Sequence, residues 1–252
     1  MKKYITVLTI VTVIAIIVGS VIHLQSCREC GNFSYDINVG EGDDNKMGEV
    51  YTKDFDNIEI GMALVEVEVK EGSAFKVDYN GKEKYKPDIE SDGDTLVISN
   101  GDRNFPISSL GAQSKNKLTV TIPKGKVFEN AKLESVMADF KIETLNAKNL
   151  DIEVPTGEIE INNAKGENLK AEVVKGDLKL TGDFTDLDIS AVLGNVEIDL
   201  AQDVNKYNVE ANSELGSIEC GDVHAKGAST SSQNGDLGNI KAECSMGNIT
   251  IK

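Results

Sequence analysis

Positive charge is scarce in this 252-residue chain: 26 Lys and Arg stand against 42 Asp and Glu, a net charge of −16. Nucleic-acid binding needs a basic face to neutralise phosphates, so that class of function is excluded. Broad contact with anionic lipid headgroups is disfavoured for the same reason. Arginine is confined to Arg28 and Arg103. There are two histidines, and His224, in Asp222-Val-His-Ala-Lys, has no nucleophile or metal ligand near it in sequence. It reads as a surface residue. Cys27 and Cys30 form a lone C-x-x-C, with no second pair and no His pair to complete a zinc site. Trp is missing and other aromatics are few, whereas Gly reaches 23 residues. Frequent Gly, Asn and Asp suit a chain with many tight turns.

What is present begins with Lys2 and Lys3, followed by an uncharged, Ile/Val/Leu-rich run from Tyr4 to Leu24. At about 1.5 Å per residue such a run crosses a hydrocarbon core of roughly 30 Å. It predicts a cytoplasmic tail over 1–3 and a transmembrane helix over 4–24. The positive-inside rule then places the rest outside the cytoplasm, as a single-pass cell-membrane protein with an extracytoplasmic C-terminal domain. Leu24-Gln25-Ser26-Cys27 also resembles a lipobox. In that alternative 4–24 is a lipoprotein signal and Cys27 is the lipidation site. Plain secretion is a third reading, and all three leave the remaining chain outside. The polar, Gly-rich stretch 25–47 reads as a linker.

Over 48–127 apolar residues alternate with polar ones (Ile58, Ile60; Val67, Val69; Phe75, Val77, Tyr79; Leu118, Val120, Ile122), and Asp92-Gly93-Asp94 and Pro123-Lys124-Gly125 punctuate them. This predicts an N-terminal β region. The strongest signal lies over 128–252, where a block of twelve residues recurs. Copies begin at Ala131, Leu150, Leu169, Leu187, Val209 and Ile240, with a degenerate copy, ASTSSQNGDLGN, at Ala228. Successive starts are 19, 19, 18, 22, 19 and 12 residues apart. Columns one, three, ten and twelve are mostly aliphatic, so each block is a strand, a turn and a second strand. Column eight is Gly157, Gly176, Gly194, Gly216, Gly235 and Gly247, with Ala138 in the first copy. Column nine is small and polar, which suits a turn requiring φ > 0. Column-by-column identity at a spacing near 19 predicts a short parallel β-solenoid with about 19 residues per coil. The β region before it forms either its first part or an abutting sheet.

Leu118-Thr-Val-Thr-Ile-Pro leading into repeated G-[DN]-[ILV]-x-[ILV] blocks resembles the bacterial "putative adhesin" family, over roughly Phe55 to Lys252. The resemblance implies a membrane segment followed by extracytoplasmic β-repeats. It brings no catalytic or binding residues with it. Some members resemble accessory genes of cell-envelope stress systems, which makes a sensory or accessory role an alternative to an adhesin-like binding or scaffold role.

Catalysis finds no support. Solenoid lyases and hydrolases need clustered carboxylates, or carboxylates with an Arg or Lys base, on one outer face. Here both arginines lie outside the repeats, and carboxylates and lysines alternate along column eleven (Lys141, Glu160, Lys179, Glu197, Glu219) as a solvated face. A carbohydrate-active enzyme is therefore the remote alternative. No catalytic, cofactor or metal residues are assigned, and no cofactor is expected. Acidic residues in column nine are interrupted by Asn195, Ser217 and Asn248, so any Ca²⁺ binding would be weak. Cys220 and Cys244 fall in inward columns and are expected as buried free thiols. The expected partners are the membrane, through the N-terminal segment, and a protein, cell-wall or glycan ligand. Edge-to-edge self-association through Ile249–Lys252 is a further expectation. Intact mass of the chain from a bacterial membrane fraction tests the anchor. A full-length mass is expected, whereas a mass beginning at Cys27 plus lipid would replace the helix with a lipid anchor.

Overall fold

The computed structural model describes residues 44–51, 53–100, 116–227 and 229–252. These are almost entirely strand, with 3-10 turns at Glu83–Tyr85 and Val204–Lys206; the chain is all-β, as expected. The segments 1–3 and 4–24 and Cys27 lie outside the described residues. Among the described residues no helix is long and apolar enough to cross a membrane. The linker expected over 25–47 gives way to structure before its end. Strand β1 (Asp44–Tyr51) pairs antiparallel with β4 (Phe75–Lys82), from Asp44↔Lys82 to Tyr51↔Phe75.

Three repeats form long bent strands: β10 (Leu145–Lys165), β11 (Asn168–Asp183) and β12 (Asp186–Leu200). They pair parallel and in register, Leu150↔Leu169↔Leu187 at column one and Ile161↔Leu180↔Ile198 at column twelve. Residues before the column-eight glycine form one face of the stack and residues after it form the other. The preceding repeat splits into β8 (Val127–Val136) and β9 (Phe140–Ile142), which set Ala131 against Leu150 and Phe140 against Ile159. Because alternate residues of a strand point the same way, columns one and three meet columns ten and twelve in one core. Leu150, Ile152, Ile159 and Ile161 are buried, as are their counterparts in each neighbouring coil. Truncating any one of them to Ala would cost about 2–5 kcal/mol.

The β region over 48–127 continues this stack. Strand β2 (Asn57–Ala63) pairs parallel with β8, Ile58↔Ala131, and β3 (Glu66–Gly72) with β9, Val67↔Phe140. Ile58–Val69 is thus a further copy of the block, with Val65 where the Ala131 copy carries Ala138 and the later copies carry glycine, and its column pattern went unrecognised in the sequence. Beyond it β6 (Thr95–Ser99) lies parallel to β2, and β7 (Lys117–Pro123) parallel to β3. Antiparallel strands close this end: β5 (Asp88–Asp92) on β6, and β4 on β7.

At the other end the coils leave sequence order. Strand β17 (Asn239–Ile251) sits between β12 on one side and β13 (Asn208–Ser213) with β14 (Ser217–Cys220) on the other. Strands β15 (Val223–Lys226) and β16 (Ser229–Gln233) then pair antiparallel with β14 and β13. Two expectations are corrected here. Ile249–Lys252 is not a free edge, because Ile251 is flanked by Ile198 and Cys220. The degenerate copy at Ala228 is not a coil either. Its Ser229–Gln233 is the antiparallel β16, Leu237 is exposed, and Gly235 packs against the backbone of Lys206 and Tyr207.

The remaining glycines of column eight stack on one another, for a reason other than the turn expected from sequence. Gly157 and Gly176 do have positive φ, +140° and +150°, but Gly194, Gly216 and Gly247 do not. What all five share is a carbonyl from the neighbouring coil where a Cβ would go. It stands 2.2 Å away at Gly157, 1.8 Å at Gly176 and Gly194, and 1.9 Å at Gly216 and Gly247. Where column eight is Ala138 or Val65, the left-handed residue moves back one place, to Met137 (φ 58°) and Leu64 (φ 59°). The bend is therefore made in two ways, and only the glycine version lets the strand run on unbroken through β10, β11, β12 and β17. Gly194→Ala is expected to lower stability by about 2–4 kcal/mol through forced separation of coils. Gly61→Ala, whose Cβ would meet only side-chain atoms at 3.4 Å or more, should cost less than about 1 kcal/mol. Urea unfolding of the two variants makes the comparison, and equal losses would contradict the close-approach explanation.

Candidate functional site

In-register stacking turns each outward column into a line of side chains running across the coils. On the first face, column two reads Glu59, Lys132, Asp151, Lys170, Asp188, Lys241, Glu210 in spatial order. Charge alternates at every step. Each lysine also reaches along its own strand to column four: Lys132 to Glu134 at 2.6 Å, Lys170 to Glu172 at 2.9 Å and Lys241 to Glu243 at 3.4 Å. These carboxylates raise the lysines above the usual range; for Lys132 and Lys170 the hydrogen bond to the strand-mate glutamate is the largest cause. The pairs are solvent-facing, and each is worth about 0.2–1 kcal/mol. On the second face, column eleven alternates as Glu68, Lys141, Glu160, Lys179 and Glu197, then continues through Thr250 to Glu219.

A second kind of ladder runs one residue before column one. Asn130 donates its side-chain amide to Asn57 (2.8 Å), Asn149 to Asn130 (3.0 Å) and Asn168 to Asn149 (2.7 Å). Farther along, Asn239 donates to Asp186 (2.6 Å) and Asn208 to Asn239 (3.0 Å). Column nine behaves similarly. The Asp139 carboxylate accepts the backbone N–H of Glu158 at 3.0 Å, and Asp177 accepts both the backbone N–H and the side-chain amide of Asn195 at 2.9 Å. Asn248 then donates to Asn195, and Ser217 to Asn248. These carboxylates act as turn acceptors within the stack. Among the described residues no group of three or more His, Cys, Asp and Glu is placed to hold a metal ion.

Column four is different. Glu134, Glu153 and Glu172 are direct neighbours across strands, a run of like charge. Burial holds the Glu153 carboxyl above the usual range, opposed by Lys132 and reinforced by Glu134 and Asp151. No signal in a single copy of the repeat marks this run. It emerges only when copies are stacked.

His224 is exposed on β15, opposite Glu219. Cys220 and Cys244 are buried free thiols on separate strands. Cys244 occupies column five and donates to the Gly247 carbonyl at 3.1 Å, the place where Ser213 donates to Gly216 at 2.6 Å. Both are therefore parts of the inner corner of a coil. Burial pushes the Cys220 thiol up to about 12 and also raises Cys244. Unfolded thiols ionise near pH 8.5 while the folded Cys220 keeps its proton to about 12. The unfolded state thus binds fewer protons across that window, and stability falls as pH rises through it, by up to about 1.4 kcal/mol per pH unit for this group. Cys220→Ala should remove that alkaline component, as read by urea midpoints at pH 8, 9.5 and 11. An unchanged pH slope would contradict the assignment.

The sequence profile of one family, described as toastrack DUF4097, matches residues 55–134 and 127–252. Among solved structures, a putative cell adhesion protein from Clostridium sporogenes is 14% identical, with a TM-score of 0.47, over 83% of this chain and 99% of its own. A putative adhesin from Bacteroides fragilis is 15% identical, with a TM-score of 0.44, over 82% and 97%. A putative lipid binding protein from Parabacteroides distasonis is 14% identical, with a TM-score of 0.42, over 84% and 98%. No curated protein sequence matches the chain.

Proposed function

The chain belongs to the toastrack DUF4097 family, and from that premise we propose that it is a non-catalytic binding or scaffold protein of the cell envelope. In this reading the segment 4–24 anchors it and a short β-solenoid, closed at both ends by antiparallel strands, stands outside the cytoplasm. The observation that carries the reading is the use made of the polar side chains. Along both faces most of them, those of column four excepted, pair with the same column of the next coil, in ladders of alternating charge or of amide hydrogen bonds. Catalysis asks instead for a nucleophile, a base and an orienting group converging on one point. A rigid, laddered surface held at a membrane suits contact with a partner.

A membrane-impermeant amine reagent applied to spheroplasts tests the placement. Exposed Lys148, Lys170 and Lys241 are expected to label as fully before lysis as after it. Labelling that appears only on lysis would overturn the extracytoplasmic reading.

A further inference from the structure

Most large apolar side chains of the described residues are buried; of the eight exposed ones, Val50, Val127 and Leu237 lie apart, and the other five lie together. Val136, Met137, Leu193, Met246 and Leu215 are 48%, 37%, 46%, 46% and 77% exposed. All five occupy columns six and seven, at the bend between the two faces. Because coils stack in register, they fall on one line. Leu193 lies directly across from Met246, and Leu215 is held beside them by its N–H to the Ser245 carbonyl at 2.9 Å. In the coils between, column six is apolar, with Pro155, Val174 and Val192, while column seven carries Thr156 and the exposed Lys175, which lies directly across from Leu193. From the Met137 coil to the Leu215 coil this ridge runs about 24 Å at ~4.8 Å per strand spacing. Exposed apolar surface gathered in this way marks interaction sites.

Charge along the ridge says what would cover it. Over its first coils it is walled by Glu134, Glu153 and Glu172 on one face and by Asp139, Glu158 and Asp177 on the other. Lys132 and Lys170 answer part of the first wall, and Lys175 stands between the two, which leaves the six carboxylates in excess. The second wall has no salt bridge among the described residues. Toward β12, β17 and β14 the flanks carry less charge, with Ser190, Asn195, Asn248 and Ser217 beside Glu243, which Lys241 answers. An anionic bilayer would be repelled by the acidic walls, and a second copy would bring the same charges against them. The geometry points to a partner protein that lays an amphipathic helix along this ridge, its apolar seam on Met137, Leu193, Met246 and Leu215, with Lys or Arg on both sides of the seam at the end nearer Met137.

Dimensions agree with a helix. Its turn of about 5.4 Å advances by roughly one coil, and a ridge of about 24 Å takes a helix of ~16 residues at ~1.5 Å each. Seam residues at i, i+3 or i+4, and i+7 would each meet one coil. Cations straddling the seam would reach carboxylates on both faces, and the raised Glu153 carboxyl is one that gains from such a neighbour.

This inference rests on the non-catalytic binding role proposed above, but the two fail separately. A chain found inside the cell by the labelling experiment would lose its placement and keep its ridge.

The test uses the full chain in zwitterionic nanodiscs, with empty discs as the blank. Three fluorescent 16-residue helical peptides are titrated: a leucine seam flanked by lysines, the same seam flanked by glutamates, and a serine seam flanked by lysines. The first is expected to bind at least tenfold more tightly than either of the others. Leu193→Ser with Met246→Ser should weaken it at least tenfold without changing the melting midpoint, and Val50→Ser should leave it unchanged. Asp139→Asn with Glu158→Gln should weaken it several-fold and flatten its salt dependence. No binding of the first peptide, equal binding of the lysine- and glutamate-flanked peptides, or indifference to the ridge substitutions would overturn the proposal. So would ridge-dependent binding to phosphatidylglycerol vesicles, which makes the occupant a lipid surface, or ridge-dependent dimerisation, which makes it a second copy.

Discussion

Across the parallel strands of the described residues, each outward residue faces its own counterpart on the next coil. Parallel, in-register pairing at about 4.8 Å imposes that condition, and the rest of the structure depends on satisfying it. A column of identical charges would repel at each step, whereas a column that alternates, or that passes amide hydrogen bonds from coil to coil, is compatible with close stacking. Columns two and eleven alternate, and the asparagine column hands its amides along. The backbones answer the same condition with glycine, whose missing Cβ leaves room for the neighbouring carbonyl.

Much of this was legible in the sequence, because burial and strand position follow from period two. Leu150, Ile152, Ile159 and Ile161 announce their inward direction by alternation alone, and their counterparts repeat it. The order of the coils was not legible in that way, since a column pattern says which residues are equivalent and not which are adjacent. Yet a trace of the order was there in the charges. Read in chain order, column two would set Asp188 beside Glu210, and column eleven would set Glu197 beside Glu219. Placing β17 between those coils interposes Lys241 in the first case and Thr250 in the second. Repulsion between like charges on neighbouring strands was the missing consideration.

Other features escaped for different reasons. The copy at Ile58–Val69 lacks the glycine that made the others recognisable, and its bend is turned by Leu64 in the left-handed region instead. Strand β16, Ser229–Gln233, looks in sequence like a worn repeat because glycine and a small polar residue follow it. Its antiparallel pairing with β13 is a tertiary choice. The apolar ridge at the bend escaped because each copy contributes only one or two apolar residues there, which is unremarkable singly. Its length exists only in the assembled stack.

The interposed position of β17 has a consequence for how the chain reaches its native state. Strands β13 to β16 precede β17 in sequence, yet they lie beyond it in space. While the polypeptide is emerging, β12 on one side and β13 with β14 on the other each present an unpaired edge, separated by a strand-wide vacancy. Such edges are sites for association with the wrong chain. Closing the vacancy joins residues far apart in sequence, which is a slow kind of step. The period of vulnerability therefore lasts until Asn239–Ile251 has been made, and a chain interrupted before that point would be recognisable to proteolytic surveillance by its open seam.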